Sequence, residues 1–422
     1  MPLKTFLPLL FLAAGSHAQR TSESSEASIT DPASECAPYA YAPVTSALAA
    51  SQFPPIWTPV ASLLPNDAAG LALFAKINSS IPNIPPKGTM AGDFSNFTPT
   101  YPATDPDCWW TFHQCTQPKA AGLSADVASV PEARTLGYGF DDGPNCSHNA
   151  FYDYLTAAQQ KATMFYIGSN VMDWPLEAQR AVADGHEVCV HTWSHRYMTA
   201  FPNEAAFGEL WYTLQAIKLV AGVTVKCWRP PFGDVDDRIR YIAAQLGLET
   251  VLWKYDSNDW KVGTGGVTTA TVQANYDALI ANVSAGVFDT VGAIMLTHEL
   301  NNYTMQTAMD NYPALAKAFD HIVPIAVAQN QTQPYVETNY TFPTFAQYIA
   351  THNASTVPAG PVPGANSTTS SASNVTGSNT GSGSSSGSGS GSSQSTGTGV
   401  SLRVGVGAPL VLAVAMGVLA VL

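Results

Sequence analysis

Leu-Gly-Tyr-Gly-Phe-Asp-Asp-Gly-Pro, residues 136–144, is a short apolar run that ends in two adjacent carboxylates. The apolar residues predict a strand, and Gly143-Pro144 predicts a turn after it. Adjacent carboxylates repel each other, so a fold that confines both usually adds a cation. Successive strand residues point to opposite sides, so Asp141 and Asp142 need not have the same role. An isolated Asp-Asp-Gly would more often be a solvated turn, so the interpretation depends on partners farther along the chain.

Apolar runs alternate with helical patterns between about residues 134 and 330. The predicted strands are Thr135–Phe140, Ala162–Ile167, Glu187–Val190, Val223–Trp228, Glu249–Trp253, Ala293–Thr297 and Ile322–Val327. The predicted helices are Asn149–Gln160, Pro175–Asp184, Glu204–Val220, Asp237–Leu246, Thr269–Ala281 and Met305–Phe319. Repeated strand–helix units predict an α/β fold with a mainly parallel sheet, and about seven such strands favour a closed or nearly closed (β/α) barrel. A doubly wound open sheet is the alternative.

Two histidines follow the predicted strand Glu187–Val190 in the segment His191-Thr192-Trp193-Ser194-His195. If this segment forms a helical turn, residues i and i+4 share one face, which is a spacing used by metal ligands. Alone, such a pair is a weak signal. Beside Asp142, two imidazoles and one carboxylate would leave an open position for water on a bound metal, which indicates a catalytic rather than a structural site.

Three other predicted strands are followed by residues that can take part in catalysis. Arg229 begins Arg-Pro-Pro-Phe-Gly, Asp259 lies in Asp-Ser-Asn-Asp-Trp, and His298 follows Leu296-Thr297. Taken singly, Arg229 would belong to a salt-bridged loop, Asp259 to a turn with a buried Trp, and His298 would be a core histidine. In a parallel barrel, however, the carboxyl ends of the strands line one mouth, where the active sites of such barrels lie. The residues expected at this mouth are Asp141, Asp142, His191, Arg229, Asp259 and His298.

Five ordered segments resemble the motifs of the polysaccharide deacetylase (NodB homology) family, carbohydrate esterase family 4. They are Phe-Asp-Asp-Gly-Pro (140–144), His-Thr-Trp-Ser-His (191–195), Arg-Pro-Pro-Phe-Gly (229–233), Asp-Ser-Asn-Asp-Trp (256–260) and Leu-Thr-His (296–298). The resemblance covers about residues 134–330. One departure is Gly139, where many members carry Thr, and we expect it to affect strand packing more than catalysis.

The resemblance implies a distorted (β/α) barrel of the NodB-homology type and metal-dependent removal of N-acetyl groups from chitin, a polymer of N-acetylglucosamine, giving chitosan and acetate. The residues implied to bind one divalent metal ion, zinc or cobalt, are Asp142, His191 and His195. The implied catalytic residues are the general base Asp141, oriented by Arg229, and the general acid His298, oriented by Asp259. The implied substrate-binding residues are Phe232, whose backbone N–H would bind the oxyanion, with Trp260 and Leu296 lining the acetyl pocket beside Pro230.

The two ends of the chain carry targeting patterns. Met1–Ala18 has the basic, apolar and small-residue regions of a secretory signal peptide. The chain ends in a Ser/Gly-rich stretch followed by a hydrophobic run without basic residues after it, which is the pattern of a glycosylphosphatidylinositol (GPI) anchor signal. A transmembrane helix is the alternative. We therefore expect a glycoprotein of the cell surface, attached at the plasma membrane or cell wall.

These patterns divide the chain into six predicted segments. They are a signal peptide (1–18), an irregular N-terminal extension (19–130), the catalytic domain (131–335), a C-terminal extension of that domain (336–355), a disordered Ser/Thr/Gly-rich stalk (356–399) and a hydrophobic GPI-anchor signal (400–422).

Cysteines and sequons fit a secreted protein. Six cysteines form an even set in an oxidising compartment, and Cys108 and Cys115 are close enough to close a small loop. Cys189, in an apolar strand pattern, could be a buried free thiol. The expected glycosylation sites are Asn78, Asn96, Asn282, Asn302, Asn330, Asn339, Asn353, Asn366 and Asn374. Asn145 is also in a sequon but immediately follows the Asp-Asp-Gly-Pro turn, so we expect no glycan there.

Charge and residue content limit the functions open to the chain. With 18 basic and 31 acidic residues, the net charge of −13 argues against a nucleic-acid partner. We expect a monomer that binds chitin or N-acetylglucosamine oligomers. Two alternatives remain: the same chemistry on another acetylated polymer such as xylan or peptidoglycan, and a non-catalytic, wall-anchored sugar-binding protein.

Overall fold

The computed structural model describes residues 20–351. The predicted signal peptide, the stalk and the anchor signal lie outside these residues. Within the described part of the chain, no helix is both long and apolar enough to cross a membrane.

Nine short strands form the sheets in the described part of the chain. They are β1 (Thr135–Gly137), β2 (Gly139–Gly143), β3 (Thr163–Tyr166), β4 (Glu187–Val190), β5 (Cys227–Trp228), β6 (Glu249–Thr250), β7 (Tyr255–Asp256), β8 (Ala293–Leu296) and β9 (His321–Val323). The seven predicted strand regions are all represented, whereas β7 was not predicted. The last predicted strand, Ile322–Val327, is wrong in its second half, because the chain turns at Pro324 into a short helix.

The strands build the predicted distorted (β/α) barrel. Pairing between the named strands is parallel, in the orders β2-β3-β4-β5-β6 and β7-β8-β1-β9. β1 and β2 form one stretch of chain interrupted only at Tyr138, so this stretch belongs to both sheets. A parallel bridge between Asp141 and His298 continues the contact between β2 and the chain that follows β8. This continuity joins the two sheets beside the motif residues.

Helices surround the strands. The helices are α1 (Glu23–Glu26), α2 (Pro32–Glu35), α3 (Ala42–Ala49), α4 (Ala68–Asn78), α5 (Trp110–His113), α6 (Asn149–Ala157), α7 (Gly168–Asp173), α8 (Pro175–Ala183), α9 (Asn203–Ala221), α10 (Asp237–Gln245), α11 (Thr269–Ser284), α12 (Asn302–Ala318), α13 (Ile325–Ala328) and α14 (Phe345–Thr351). The predicted helices are present as α6, α8, α9, α10, α11 and α12, with ends within about three residues. Every residue of β2, β3 and β4 is buried, as expected for parallel strands covered on both faces.

Capping residues mark the ends of the helices next to the strands that carry the site. The carboxylate of Asp236 accepts the N–H of Ile239 and caps α10, and Asn301 caps α12 with its side-chain oxygen. Gly222, with φ of 76°, ends the long helix α9 in a left-handed conformation that glycine adopts without steric cost. These caps fix where the chain enters and leaves the strands that carry the site.

The N-terminal extension lies largely in turns and loops, with α1 to α5 as short helices, and it packs on the barrel. A disulfide between Cys36 and Cys146 ties it to the chain just after β2. Trp109 is fully buried, and its indole N–H donates to Asp234 at 2.9 Å. The extension is therefore a fixed part of the fold around the barrel.

The predicted disulfide Cys108–Cys115 is confirmed, whereas the suggestion of a free thiol at Cys189 is wrong. Cys189 pairs with Cys227, and their Cα atoms are 4.9 Å apart. The reason is topological: β4 and β5 are adjacent parallel strands, which bring together two cysteines 38 residues apart in sequence.

Candidate active site

The motif residues meet at the carboxyl ends of the strands, as predicted. Asp141 and Asp142 lie in β2, His191 and Arg229 directly follow β4 and β5, Asp259 lies in the turn after β7, and His298 follows β8. All of them are buried or nearly so, except His195, which is partly exposed. These seven side chains, including His195, therefore lie together at one largely buried mouth of the barrel.

The two adjacent aspartates have different partners. Asp141 Oδ1 accepts a hydrogen bond from Arg229 Nη1 at 2.6 Å. Asp142 Oδ1 instead lies 3.0 Å from His195 Nε2 and 3.4 Å from His191 Nε2. Asp142 has a φ of 72°, outside the strand region, and the register of β2 shifts between Phe140 and Gly143. This local irregularity lets the two neighbouring carboxylates take different main partners, although Asp141 Oδ2 also lies 3.7 Å from His191 Nε2.

His191 and His195 come together, but not through a helical turn. The segment between them is an irregular turn in which Thr192 and His195 have φ values of 66° and 53°. The ring centroids are 4.9 Å apart. His191 Nδ1 lies 2.8 Å from the backbone oxygen of Arg229, so we assign the ring proton to Nδ1. The lone pair of Nε2 then faces Asp142, which is the orientation a metal ligand needs.

Arg229 holds Asp141 from within the core. Its guanidinium is fully buried and lies 3.9 Å from the ring centroid of Phe165. Burial lowers the pKa of Arg229, although the Asp141 carboxylate opposes that effect. Since Arg229 Nη1 occupies Oδ1 of Asp141, the second oxygen of this carboxylate remains available to another partner.

Asp259 holds His298 through two hydrogen bonds. His298 Nδ1 donates to Asp259 Oδ1 at 2.6 Å, and the backbone N–H of His298 donates to Oδ2 at 3.0 Å. Burial is the largest single influence and lowers the pKa of His298, but the charge and hydrogen bond of Asp259, together with the charges of Asp142 and Asp141, raise this pKa to about 9. At neutral pH the imidazole is therefore protonated and has Nε2–H left to donate.

Aromatic side chains surround this polar group. The Phe232 ring is stacked on Tyr197 at a centroid distance of 4.1 Å and lies 4.8 Å from the ring of His195. Trp260 lies 6.3 Å from His298, and its buried Nε1 has no hydrogen-bond partner among the described residues. Pro230 and Leu296 are buried beside these segments. The roles of these four predicted pocket residues remain predictions.

The comparisons with known proteins agree with this geometry. The polysaccharide deacetylase family profile matches residues 129–251, which include both aspartates and both histidines. Chitin deacetylase 2 of Cryptococcus neoformans var. grubii is 53% identical over 335 residues, which are 78% of this chain and 72% of that protein. The chain belongs to the polysaccharide deacetylase family.

Two further similarities were found. The chitin deacetylase of Amylomyces rouxii is 44% identical over 314 residues, which are 74% of each protein. The solved structure of the chitin deacetylase from Colletotrichum lindemuthianum is 19% identical, covers 49% of this chain and 92% of that chain, and has a TM-score of 0.44.

Deacetylases of this family are divalent-metal enzymes, and the donor set of this chain fits such an ion. One ligand atom from each of Asp142, His191 and His195 lies within 4.8 Å of the others. In the described structure, Asp142 Oδ1 is buried and lies 3.0 Å from His195 Nε2 without forming a well-aligned hydrogen bond, which is costly for a carboxylate unless a cation compensates it. Two imidazoles and one carboxylate also match the ligand types that zinc and similar ions accept.

The departure of this polysaccharide deacetylase at Gly139 has a packing explanation. A Cβ atom at this position would lie 2.8 Å from the backbone oxygen of Thr163 in the neighbouring strand β3. That approach is closer than real Cβ atoms allow, so the larger side chain of Thr does not fit this spacing of β2 and β3. The expectation that Gly139 affects strand packing is consistent with this geometry.

Glu209 is a residue of the site that the sequence did not indicate. From the interior of α9 its buried carboxylate accepts the N–H groups of Trp193 and Ser194 at 3.0 and 2.9 Å and the Ser194 hydroxyl at 2.7 Å. It also accepts the N–H of Val60, from the N-terminal extension, at 2.9 Å. Glu209 thus shapes the turn between the two histidines, and no local pattern in α9 distinguishes it from an ordinary helix residue.

Glu299 supports the other side of the site and was also missed. Its buried carboxyl group accepts the N–H of Asn145 at 3.1 Å and the hydroxyl of Tyr152 at 2.9 Å. A Cβ at Gly143 would lie 2.0 Å from Glu299 Oε1, so only glycine fits there. Burial raises the pKa of Glu299 to about 8, so this group adds little negative charge beside Asp142 at neutral pH.

The sequons differ in accessibility. Those exposed in the described structure are Asn78, Asn96, Asn302, Asn330 and Asn339, whereas Asn282 is half-buried. Asn353, Asn366 and Asn374 lie outside the described residues. Asn145 donates its side-chain amide to the backbone oxygen of Leu300 at 2.7 Å, which agrees with the expectation of no glycan there. Glycosylation of the other sites stays a prediction.

The three disulfides fit an extracellular protein.

Proposed function

We propose that this protein hydrolyses the N-acetyl groups of chitin, giving chitosan and acetate. The proposal rests mainly on the 53% identical relative named chitin deacetylase 2, whose match spans most of this chain. The arrangement of the motif residues supports it, since amide hydrolysis needs an activated water, stabilisation of charge on the carbonyl oxygen, and a proton for the departing amine.

Asp142, His191 and His195 would hold one divalent ion, zinc or cobalt. Bound there, the ion would supply Lewis-acid polarisation of the acetyl carbonyl and a lowered pKa for water. The partners of these ligands support the assignment: the Arg229 carbonyl orients His191, and Glu209 shapes the turn that leads to His195.

Asp141 would act as the general base. Arg229 Nη1 holds its Oδ1 at 2.6 Å, which leaves Oδ2 to accept the proton of the attacking water. The same contact fixes the orientation of the carboxylate, since the guanidinium is itself held in the core. Asp141 therefore acts on the water while Asp142 holds the ion.

His298 would act as the general acid. Its imidazolium, held by Asp259, can donate the Nε2 proton to the amine nitrogen as the C–N bond breaks. The backbone N–H of Phe232 would donate to the oxyanion, and Trp260, Leu296 and Pro230 would enclose the acetyl methyl group. Such donors contribute most in a site that excludes water.

Acetate release tests the proposal. The purified protein should release acetate from N-acetylglucosamine oligomers, and a chelator should abolish the release. Acetylxylan and acetylated peptidoglycan serve as parallel substrates. Release from acetylxylan or peptidoglycan but not from the oligomers would favour the alternative substrates. Binding of the oligomers without release of acetate under any metal condition would favour a sugar-binding protein.

We further infer that the protein acts at the cell surface through a GPI anchor. The hydrophobic tail and the stalk that motivate this inference lie outside the described residues. The exposed sequons and the three disulfides support passage through the secretory pathway.

A further inference from the structure

A groove opens beside the proposed metal site and is not used by the chemistry described above. It has a volume of about 250 Å³, and Asp142 and His195 form one end of its lining. Its walls are Trp57, Pro144, Ile167, Asn170, Trp174 and Leu300. The groove therefore includes part of the proposed metal site, whereas Asp141 and His298 are not among the residues that line it.

Trp57 reaches this groove from the N-terminal extension rather than from the barrel. Its side chain is 44% exposed, one of the few large apolar side chains on the described surface with so much exposure. Its φ of 62° is rare for a bulky residue, because the left-handed region crowds the side chain. Such conformations persist where the surrounding structure imposes them, and they concentrate at functional sites.

Hydrogen bonds fix the position of Trp57 relative to the histidine turn. Its backbone N–H donates to Ser169 Oγ at 2.8 Å, and that hydroxyl donates to the backbone oxygen of Trp193 at 2.6 Å. The indole N–H of Trp57 donates to Asp173 Oδ2 at 2.8 Å. The indole N–H of Trp57 therefore already has an acceptor. Because these bonds hold the ring in place before any ligand binds, the entropic cost of binding is lower.

We propose that Trp57 forms a subsite for a second N-acetylglucosamine unit of the polymer, next to the unit that is deacetylated. This inference rests on the proposed function. A sugar ring has an apolar C–H face and polar edges, so it suits a flat indole beside amide groups such as those of Asn145 and Asn170. The groove is smaller than the roughly 300–1,000 Å³ of sites for drug-sized ligands, which suits one sugar unit rather than several.

Substrate length provides the test. We compare kcat/KM for acetate release from N-acetylglucosamine oligomers of increasing length, and the readout is the ratio between the longest and the shortest oligomer that reacts. In Trp57→Ala this ratio should fall by about tenfold, as expected for the loss of a Trp contact in a binding site. Trp57→Phe, which keeps a flat ring but loses the bond to Asp173, should show a smaller fall.

Leu71→Ala is the matched control, because it removes another exposed apolar side chain of the N-terminal extension, in α4, away from the groove. Its ratio should equal that of the wild type. If Trp57→Ala does not fold, Trp57→Leu keeps an apolar side chain without a flat ring and should show the same fall. The same ratio in wild type and in folded Trp57 variants would overturn the proposal, as would a wild type whose kcat/KM does not rise with length.

Failure of the proposed function would give a different result. If the wild type releases no acetate from any oligomer, chitin deacetylation is wrong, and calorimetric binding of the oligomers then decides the subsite separately. Weaker binding by Trp57→Ala than by wild type and Leu71→Ala would support it. Equal binding by all three proteins, or no binding by the wild type, would overturn it.

Discussion

Replacing Asp259 by Asn tests the role of His298 through the pH dependence of the reaction. In the structure, burial lowers the pKa of His298, whereas the charge and hydrogen bond of Asp259, with smaller contributions from Asp142 and Asp141, raise it, giving a pKa of about 9. A proton donor with a raised pKa is active below that pKa and is lost as the pH rises through it. The wild type should therefore keep its kcat/KM up to about pH 9 and lose it above.

Without the Asp259 charge, burial is opposed only by the smaller contributions of Asp142 and Asp141, so the pKa of His298 should fall to about the ordinary 6.5. The difference of about 2.5 pH units corresponds to about 3 kcal/mol of interaction between the imidazolium and its surroundings. Asp142 makes a smaller contribution to the raised pKa of His298, and a cation bound by Asp142 would offset it. The basic limb of the wild-type pH profile is therefore expected at about pH 9 or somewhat below. At about pH 7.5 the activity of the mutant should therefore fall by about tenfold, because only about one-tenth of His298 would be protonated.

The assay is kcat/KM for acetate release between about pH 5 and 10 with saturating metal, and the metal content is measured on each protein. Asp256→Asn is the control, because this nearby carboxylate makes no hydrogen bond to His298 and accepts the N–H of Asn258 instead. Because Asp256 interacts with His298 through charge but without a hydrogen bond, the basic limb of this control should move much less than that of Asp259→Asn. An Asp259→Asn protein with full metal content and an unmoved basic limb would refute the assignment of His298 as the general acid.

Three further predictions concern the metal, the core and the anchor. A chelator should abolish activity, and Zn²⁺ or Co²⁺ should restore it, since His and Asp ligands accept several such ions; full activity in a metal-free preparation would be inconsistent with this. The double variant Cys189→Ala/Cys227→Ala should lower the free energy of unfolding by about 2–4 kcal/mol, because the bond closes a loop across β4 and β5; an unchanged denaturant midpoint would argue against it. Stopping the chain before Val400 should release active protein into the medium, and cell association equal to that of the full-length protein would disprove the anchor.

Local patterns were sufficient to predict the strands and the motif residues at their ends. The alternation of apolar runs and helical patterns predicted a parallel barrel, and the barrel then placed Arg229, Asp259 and His298 at one mouth. His191 and His195 were predicted together for a reason that proved wrong. The turn between them is set by backbone conformation and by Glu209, not by helical spacing.

Residues that act through distant contacts could not be predicted. Glu209 and Glu299 resemble ordinary residues of a helix and a turn, yet each holds a segment far away in the sequence. Cys189 looked like a core residue because its partner lies on the next strand. Trp57 belongs to a stretch with weak periodicity, and only the folded chain brings it to the groove beside His195.

The most direct test of the account is the metal content of two purified variants, Asp141→Asn and Asp142→Asn. Asp142 lies against both histidines, so Asp142→Asn should lose the ion and the activity together. Asp141 is bonded to Arg229, so Asp141→Asn should keep the ion and the fold while its rate falls by about 10²–10⁴-fold, the usual contribution of a general base. A metal-free Asp141→Asn protein beside an Asp142→Asn protein that retains its ion would contradict the division of roles between the two aspartates.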